Sequence, residues 1–170
     1  MSLIGLSCLF TLGVLAHNTE EALFLPAWSR TAGRWHAPVG PREFIFAVAV
    51  LSILLVALAA AALSSQPRSV WAYAFSGYVF AMVANVIVPH AAGTLALRRY
   101  MPGTATALLF NLPLGILFLR EAISQGFVAW RTLMWVAPAT AIAIVASIPL
   151  LFAIGRKWTA KKSSDRKTGI

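Results

Sequence analysis

Leu3-Ile4-Gly5-Leu6-Ser7-Cys8-Leu9-Phe10-Thr11-Leu12-Gly13-Val14-Leu15-Ala16-His17-Asn18-Thr19-Glu20-Glu21-Ala22-Leu23-Phe24-Leu25-Pro26-Ala27 is apolar nearly throughout, yet it holds a histidine and two adjacent glutamates. The run is long enough for a bilayer-crossing helix, which needs about 20 mostly apolar residues. A carboxylate in hydrocarbon is costly and marks a functional site by default. Two of the chain's five acidic residues lie in this one stretch.

The rest of the chain supports a membrane reading. Hydrophobic residues make up 59% and charged residues 11%, with a mean hydropathy of +0.79, which leaves too little polar surface to cover a soluble fold. The fold class expected is all-α, a polytopic membrane bundle of five transmembrane helices. The spans fall at about 3–27, 43–64, 69–97, 104–121 and 129–154, forming one domain over 1–155. The fourth apolar run is short and should continue past Arg120-Glu121. A basic tail at 156–170 should be disordered beyond its first residues. No basic segment precedes the first run and no A-x-A site follows it, so it is not expected to be a cleaved signal peptide. Cys8 has no partner cysteine, which excludes an internal disulfide framework.

The basic residues give an orientation. With five spans, Arg30, Arg34, Arg42, Arg98, Arg99 and the six basic residues of the tail share one side. Only Arg68, Arg120 and Arg131 share the other. The positive-inside rule then puts the N-terminus outside and the C-terminus in the cytoplasm. The same loop and tail placement explains the net charge of +9 without nucleic acid as a partner.

Depth follows at about 1.5 Å per residue. Glu21 lies roughly 10 Å inside the cytoplasmic boundary, and His90 and Asn111 roughly 12 Å. His17 and Asn85 lie about a turn deeper. His17, Glu20, Glu21, Asn85, His90 and Asn111 therefore share one slab on three helices. His17, Glu20 and Glu21, at i, i+3 and i+4, project broadly to one side. His36, in the first loop, is expected to be solvated.

Two neighbouring carboxylates in low dielectric cannot both stay ionised without compensation, and no Lys or Arg lies at that depth. A divalent metal is one solution, with His17, Glu20, Glu21 and His90 as ligands. Two histidines with a carboxylate suit zinc or iron, whereas a full two-metal carboxylate bundle would need a second Glu/His pair. A metal-free Glu/His acid–base site of isomerase type is another solution, for which the five-helix membrane sterol isomerases are an architectural analogy. A third is a small proton-coupled transporter, although no internal repeat supports one. The bland alternative is interhelical hydrogen bonding, most of all for Asn85 and Asn111.

His17-Asn18-Thr19-Glu20-Glu21 resembles the signature of the HXXEE family of small bacterial integral membrane proteins. Asn85-Val86-Ile87-Val88-Pro89-His90, Tyr100-Met101-Pro102-Gly103 and Asn111-Leu112-Pro113 are similar to that family's second block. The resemblance implies importance for His17, Glu20 and Glu21, with His90, Asn85 and Asn111 as companions, in a multi-pass protein of the bacterial cytoplasmic (inner) membrane. The expected activity is that of an integral-membrane enzyme acting on a lipophilic small molecule. Glu20, Glu21, His17 and His90 would be catalytic and metal-holding, and Asn85 and Asn111 would support them or bind substrate. Membrane lipids are the expected surroundings, and a homo-oligomer is left open.

Overall fold

A computed structural model describes residues 1–33 and 37–167, with side chains described as far as Trp158. His36, expected to be solvated, and its neighbours Arg34 and Trp35 lie outside the described residues. Among the described residues there is no strand.

Helix α1 spans Leu3–Ser29 and starts where the Ser2 hydroxyl accepts from the Gly5 N–H at 3.1 Å. Helix α2, Pro41–Leu63, opens with proline at a position that needs no N–H, and the Glu43 carboxylate accepts from the Gly40 N–H at 2.9 Å. Helix α3, Val70–Asn85, is capped by Ser69, whose hydroxyl accepts from the Ala72 N–H. It runs into a π-helical segment, Val86–Ala91, in which Val88 is extended at φ −130° and ψ 118°. Pro89 has no N–H to donate, so the regular ladder cannot pass through this point. Helix α4, Ala92–Leu97, completes the third long element. A turn leads to α5, Thr104–Thr106, a second π-helical segment, Ala107–Asn111, and α6, Leu112–Ser124. Helix α7 spans Trp130–Lys167.

Five of these runs are long and apolar enough to cross a membrane: Leu3–Ser29, Pro41–Leu63, Val70–Leu97, Thr104–Ser124 and Trp130–Trp158. They match the expected spans closely, and the fourth continues past Arg120-Glu121 to Ser124. The last differs. Its helical backbone runs on to Lys167, into the stretch at 156–170 expected to be disordered beyond its first residues.

Helix α3 packs against α2, α6 and α7, and α1 packs against α2 and α6. Phe10, Phe75 and Phe118 meet edge to face at the centre, with ring centroids 6.5 and 5.1 Å apart. The buried Tyr78 hydroxyl donates to the Leu51 carbonyl at 3.1 Å, joining α3 to α2. Close approach depends on small residues: a Cβ on Gly77 would lie 2.8 Å from Thr140 Cβ, between α3 and α7. The outside is apolar, with Ile53, Trp135, Ile142 and Val145 each at least 65% exposed. Such continuous apolar surface is foreign to a water-soluble monomer.

Candidate functional site

The i, i+4 spacing on α1 places His17 and Glu21 one above the other, and His17 Nε2 lies 3.7 Å from Glu21 Oε2. The π-helical segment of the third element supplies His90, whose Nε2 is 3.3 Å from Glu21 Oε1. The two imidazoles meet edge to face at 4.8 Å. Both histidines are fully buried, and the Glu21 side chain is 16% exposed. One ligand atom from each of the three lies within 4.8 Å of the others.

The ring nitrogens differ in their partners. His17 Nδ1 lies 3.1 Å from the Gly103 carbonyl, which can only accept, so the proton sits on Nδ1 and the Nε2 lone pair faces the cluster. That Nε2 is 3.4 Å from Asn85 Nδ2. His90 has no aligned hydrogen-bond partner for either ring nitrogen, since the 3.3 Å approach to Glu21 is close enough for an ion pair but not directed along the N–H or lone-pair axis. A buried polar atom without a partner costs about 1–3 kcal/mol. Ligand atoms around a tetrahedral zinc at about 2.0–2.1 Å stand roughly 3.3 Å apart. The 3.3 and 3.7 Å approaches of Glu21 to the two imidazoles are near that spacing, so His17, Glu21 and His90 could hold a divalent ion.

Glu20 points away from this trio. Its Oε1 accepts from the Gly103 N–H at 2.9 Å and from the Tyr100 hydroxyl, and its Oε2 accepts from the Thr106 hydroxyl at 2.7 Å. The Tyr100 oxygen also accepts from the Ala105 N–H at 3.1 Å. Tyr100 stands in the connection between the third and fourth long elements. Burial, followed by its bond to the Glu20 carboxylate, pushes its phenol above the ordinary range.

Asn85 joins the cluster at His17, whereas Asn111 does not. Asn111 is fully buried with neither amide atom bonded, and its Oδ1 would lie 3.7 Å from a Cβ on Gly13, one turn from His17 along α1. Removing a buried, unpartnered amide is neutral or stabilising. Asn111→Leu should therefore hold or raise the melting temperature by the equivalent of about 1–3 kcal/mol. A fall of several degrees in detergent would show that the amide has a partner.

Three residues outside the sequence-based set also shape the site. In sequence Tyr100 and Gly103 stand only within the Tyr100-Met101-Pro102-Gly103 stretch of the family resemblance, with no role of their own, while nothing distinguishes Thr106. Gly103 has φ +91°, and a Cβ there would lie 2.7 Å from His90 Cε1, 2.8 Å from His17 Cε1 and 3.0 Å from Glu21 Cγ. The signal available in sequence is Pro102-Gly103 opening an apolar run. Asn18, on another face of α1, donates to Ser52 Oγ at 2.8 Å and ties α1 to α2.

A cavity of about 210 Å³ reaches the cluster, with His17, Glu21 and Asn85 at its polar end and mainly apolar walls from α2, α3 and α7. Among the described residues, no Lys or Arg lines it. Val88 and Val145 belong to its lining and are 67% and 65% exposed, so it reaches the outer, apolar surface of the bundle.

Fold and site together define an all-helical bundle, long and apolar enough in five places to cross a membrane, with a buried His/Glu cluster beside an apolar cavity. The chain belongs to the HXXEE family, described as "Protein of unknown function with HXXEE motif", which matches residues 8–118. It is 34% identical over 148 residues to a Bacillus subtilis (strain 168) protein described as "Uncharacterized protein YrkK", covering 87% of this chain and 94% of that one. No solved structure matches the chain.

Proposed function

We propose that the chain is an integral-membrane enzyme acting on a lipophilic small molecule, with His17, Glu21 and His90 holding a divalent transition ion such as zinc or iron. The observation that carries this is His90, whose two buried ring nitrogens make no hydrogen bond among the described residues, beside Glu21 and a second imidazole. Two histidines and one carboxylate leave coordination positions open, as catalytic sites do and closed structural sites do not. Bound there, the ion would supply Lewis acidity toward a substrate oxygen.

The chain's own residues supply the rest. Asn85 offers an amide beside His17, while the Tyr78 hydroxyl is committed to Leu51 and takes no part. The apolar walls exclude water and seat hydrocarbon. A volume of 210 Å³ exceeds the ~150 Å³ cavity that accepts benzene, so a ring or a short branched chain fits inside. A longer tail extends past Val88 and Val145. In a bilayer that opening meets acyl chains, so substrate enters sideways from the membrane. We place the protein in the bacterial inner membrane with the N-terminus outside and the site toward the cytoplasm, on the asymmetry of its basic residues.

Elemental analysis tests the reading. Protein purified without chelator, or incubated afterwards with Co²⁺, should carry about one ion per chain, and His90→Ala should carry none. Wild-type protein that retains no transition metal and takes up no Co²⁺ would sink the metal site. The 3.3 Å approach of Glu21 to His90 would then favour metal-free proton transfer by that pair.

A further inference from the structure

We infer that Glu20 is a positioning residue, holding the Tyr100–Thr106 turn in place so that the Gly103 carbonyl fixes the ring of His17. The two glutamates of the motif then have separate tasks, with Glu21 facing the cluster and Glu20 bracing the wall behind it.

The geometry behind this is specific. Among the described residues, every donor that reaches Glu20 belongs to the Tyr100–Thr106 turn: the Tyr100 hydroxyl, the Gly103 N–H, and the Thr106 hydroxyl and backbone N–H. Both carboxylate oxygens are thereby engaged, and neither belongs to the cluster of His17, Glu21 and His90. The Gly103 N–H opens the helical run that begins at Thr104, where an anionic acceptor is favoured. The same Gly103 turns its carbonyl to His17 Nδ1. Thr106 Oγ1 lies 3.3 Å from that nitrogen and 2.7 Å from Glu20 Oε2, so it touches both. A bond on the far nitrogen of a histidine sets which nitrogen is presented to a site. Glu20 acts on His17 through one residue, Gly103, whose N–H it accepts and whose carbonyl meets the ring. The wall is also tied to His90, because the Thr104 hydroxyl meets the His90 carbonyl at 3.4 Å and the Thr94 hydroxyl at 2.9 Å. Tyr100, half exposed, bonds Glu20 without lining the cavity.

The assignment holds whether or not a metal is bound, and its test separates the two questions. Histidine ¹⁵N shifts of chelator-treated protein in nanodiscs read the tautomer directly, with His36→Gln simplifying the spectrum. Wild type should show His17 protonated on Nδ1. Tyr100→Phe and Thr106→Val should give a mixture of tautomers at His17, Glu20→Ala a larger admixture, and Glu20→Gln, which keeps an acceptor for the Gly103 N–H, close to the wild-type form. Co²⁺ titration is the second readout. Affinity should fall by roughly 10-fold in Tyr100→Phe, within the range for outer-shell changes. Glu20→Gln should retain the ion. If Glu20→Gln abolishes Co²⁺ uptake while leaving the His17 tautomer unchanged, Glu20 is a ligand and the inference is wrong. An unchanged tautomer in both Tyr100→Phe and Thr106→Val would also overturn it. If wild type takes no Co²⁺, the metal reading fails and the tautomer arm still decides the role of Glu20.

Discussion

Gly103→Ala should abolish the site without altering any ionisable group. The new methyl would lie 2.7 Å from one imidazole carbon, 2.8 Å from another and 3.0 Å from the Glu21 stem, all inside normal contact distance. The backbone cannot easily turn to relieve this, because φ is +91° and Gly103 bonds Glu20 through its N–H and His17 through its carbonyl. A left-handed conformation costs a residue with a side chain roughly 1–2 kcal/mol, and overpacking adds about 1–3 kcal/mol. The expected result is a melting temperature lowered by the equivalent of about 2–5 kcal/mol, with no Co²⁺ retained. Thermal melts in detergent, paired with elemental analysis, would check both halves. A stable Gly103→Ala variant with full metal uptake would show that His17 and His90 do not share the space described.

Glu21→Gln should show the second large effect, with the opposite signature. The amide has nearly the carboxylate's shape, so packing and thermal stability in chelated protein should change little. The charge facing two imidazoles is lost, however, and an amide is a poor ligand for zinc or iron. Metal affinity should fall by more than about 100-fold, beyond the 10–100-fold typical of outer-shell partners. Parallel titrations of the two Glu→Gln variants would therefore distinguish neighbouring residues of identical type. Equal losses at positions 20 and 21 would mean that both carboxylates meet the ion.

Much of this organisation is legible in sequence, and the limits have physical causes. The five long helices follow from apolar runs separated by Pro, Gly and Arg, because a bilayer-length helix is the most strongly encoded of all elements. Counting depth along those helices brings His17, Glu21, His90 and Asn85 to one level, and the structure places these four together. The same counting puts Glu20 and Asn111 with them, although their side chains lie elsewhere. Depth is one coordinate, and rotation about the helix axis is the other. Glu20 and Glu21 differ by about 100° around α1, enough to send one to the cluster and the other to the Tyr100 turn. Asn111 ends a π-helical segment, whose extra residue per turn shifts the faces that follow it, and nothing in Ala107-Leu108-Leu109-Phe110 announces that insertion. The role of Gly103 does not show in sequence because it acts through backbone groups, which composition does not report, and the Thr106 hydroxyl is one of several in the apolar runs with nothing in its neighbours to single it out.

The irregular segments at Val86–Ala91 and Ala107–Asn111 bracket a short hairpin made of α4, the turn and α5. His90 belongs to that hairpin's root, while His17 and Glu21 belong to the long unbroken α1. An ion shared among the three would bridge two separately built parts of the bundle, much as a rivet joins plates. Its binding free energy would then count toward folding, so the protein's resistance to heat would report how fully its centre is loaded.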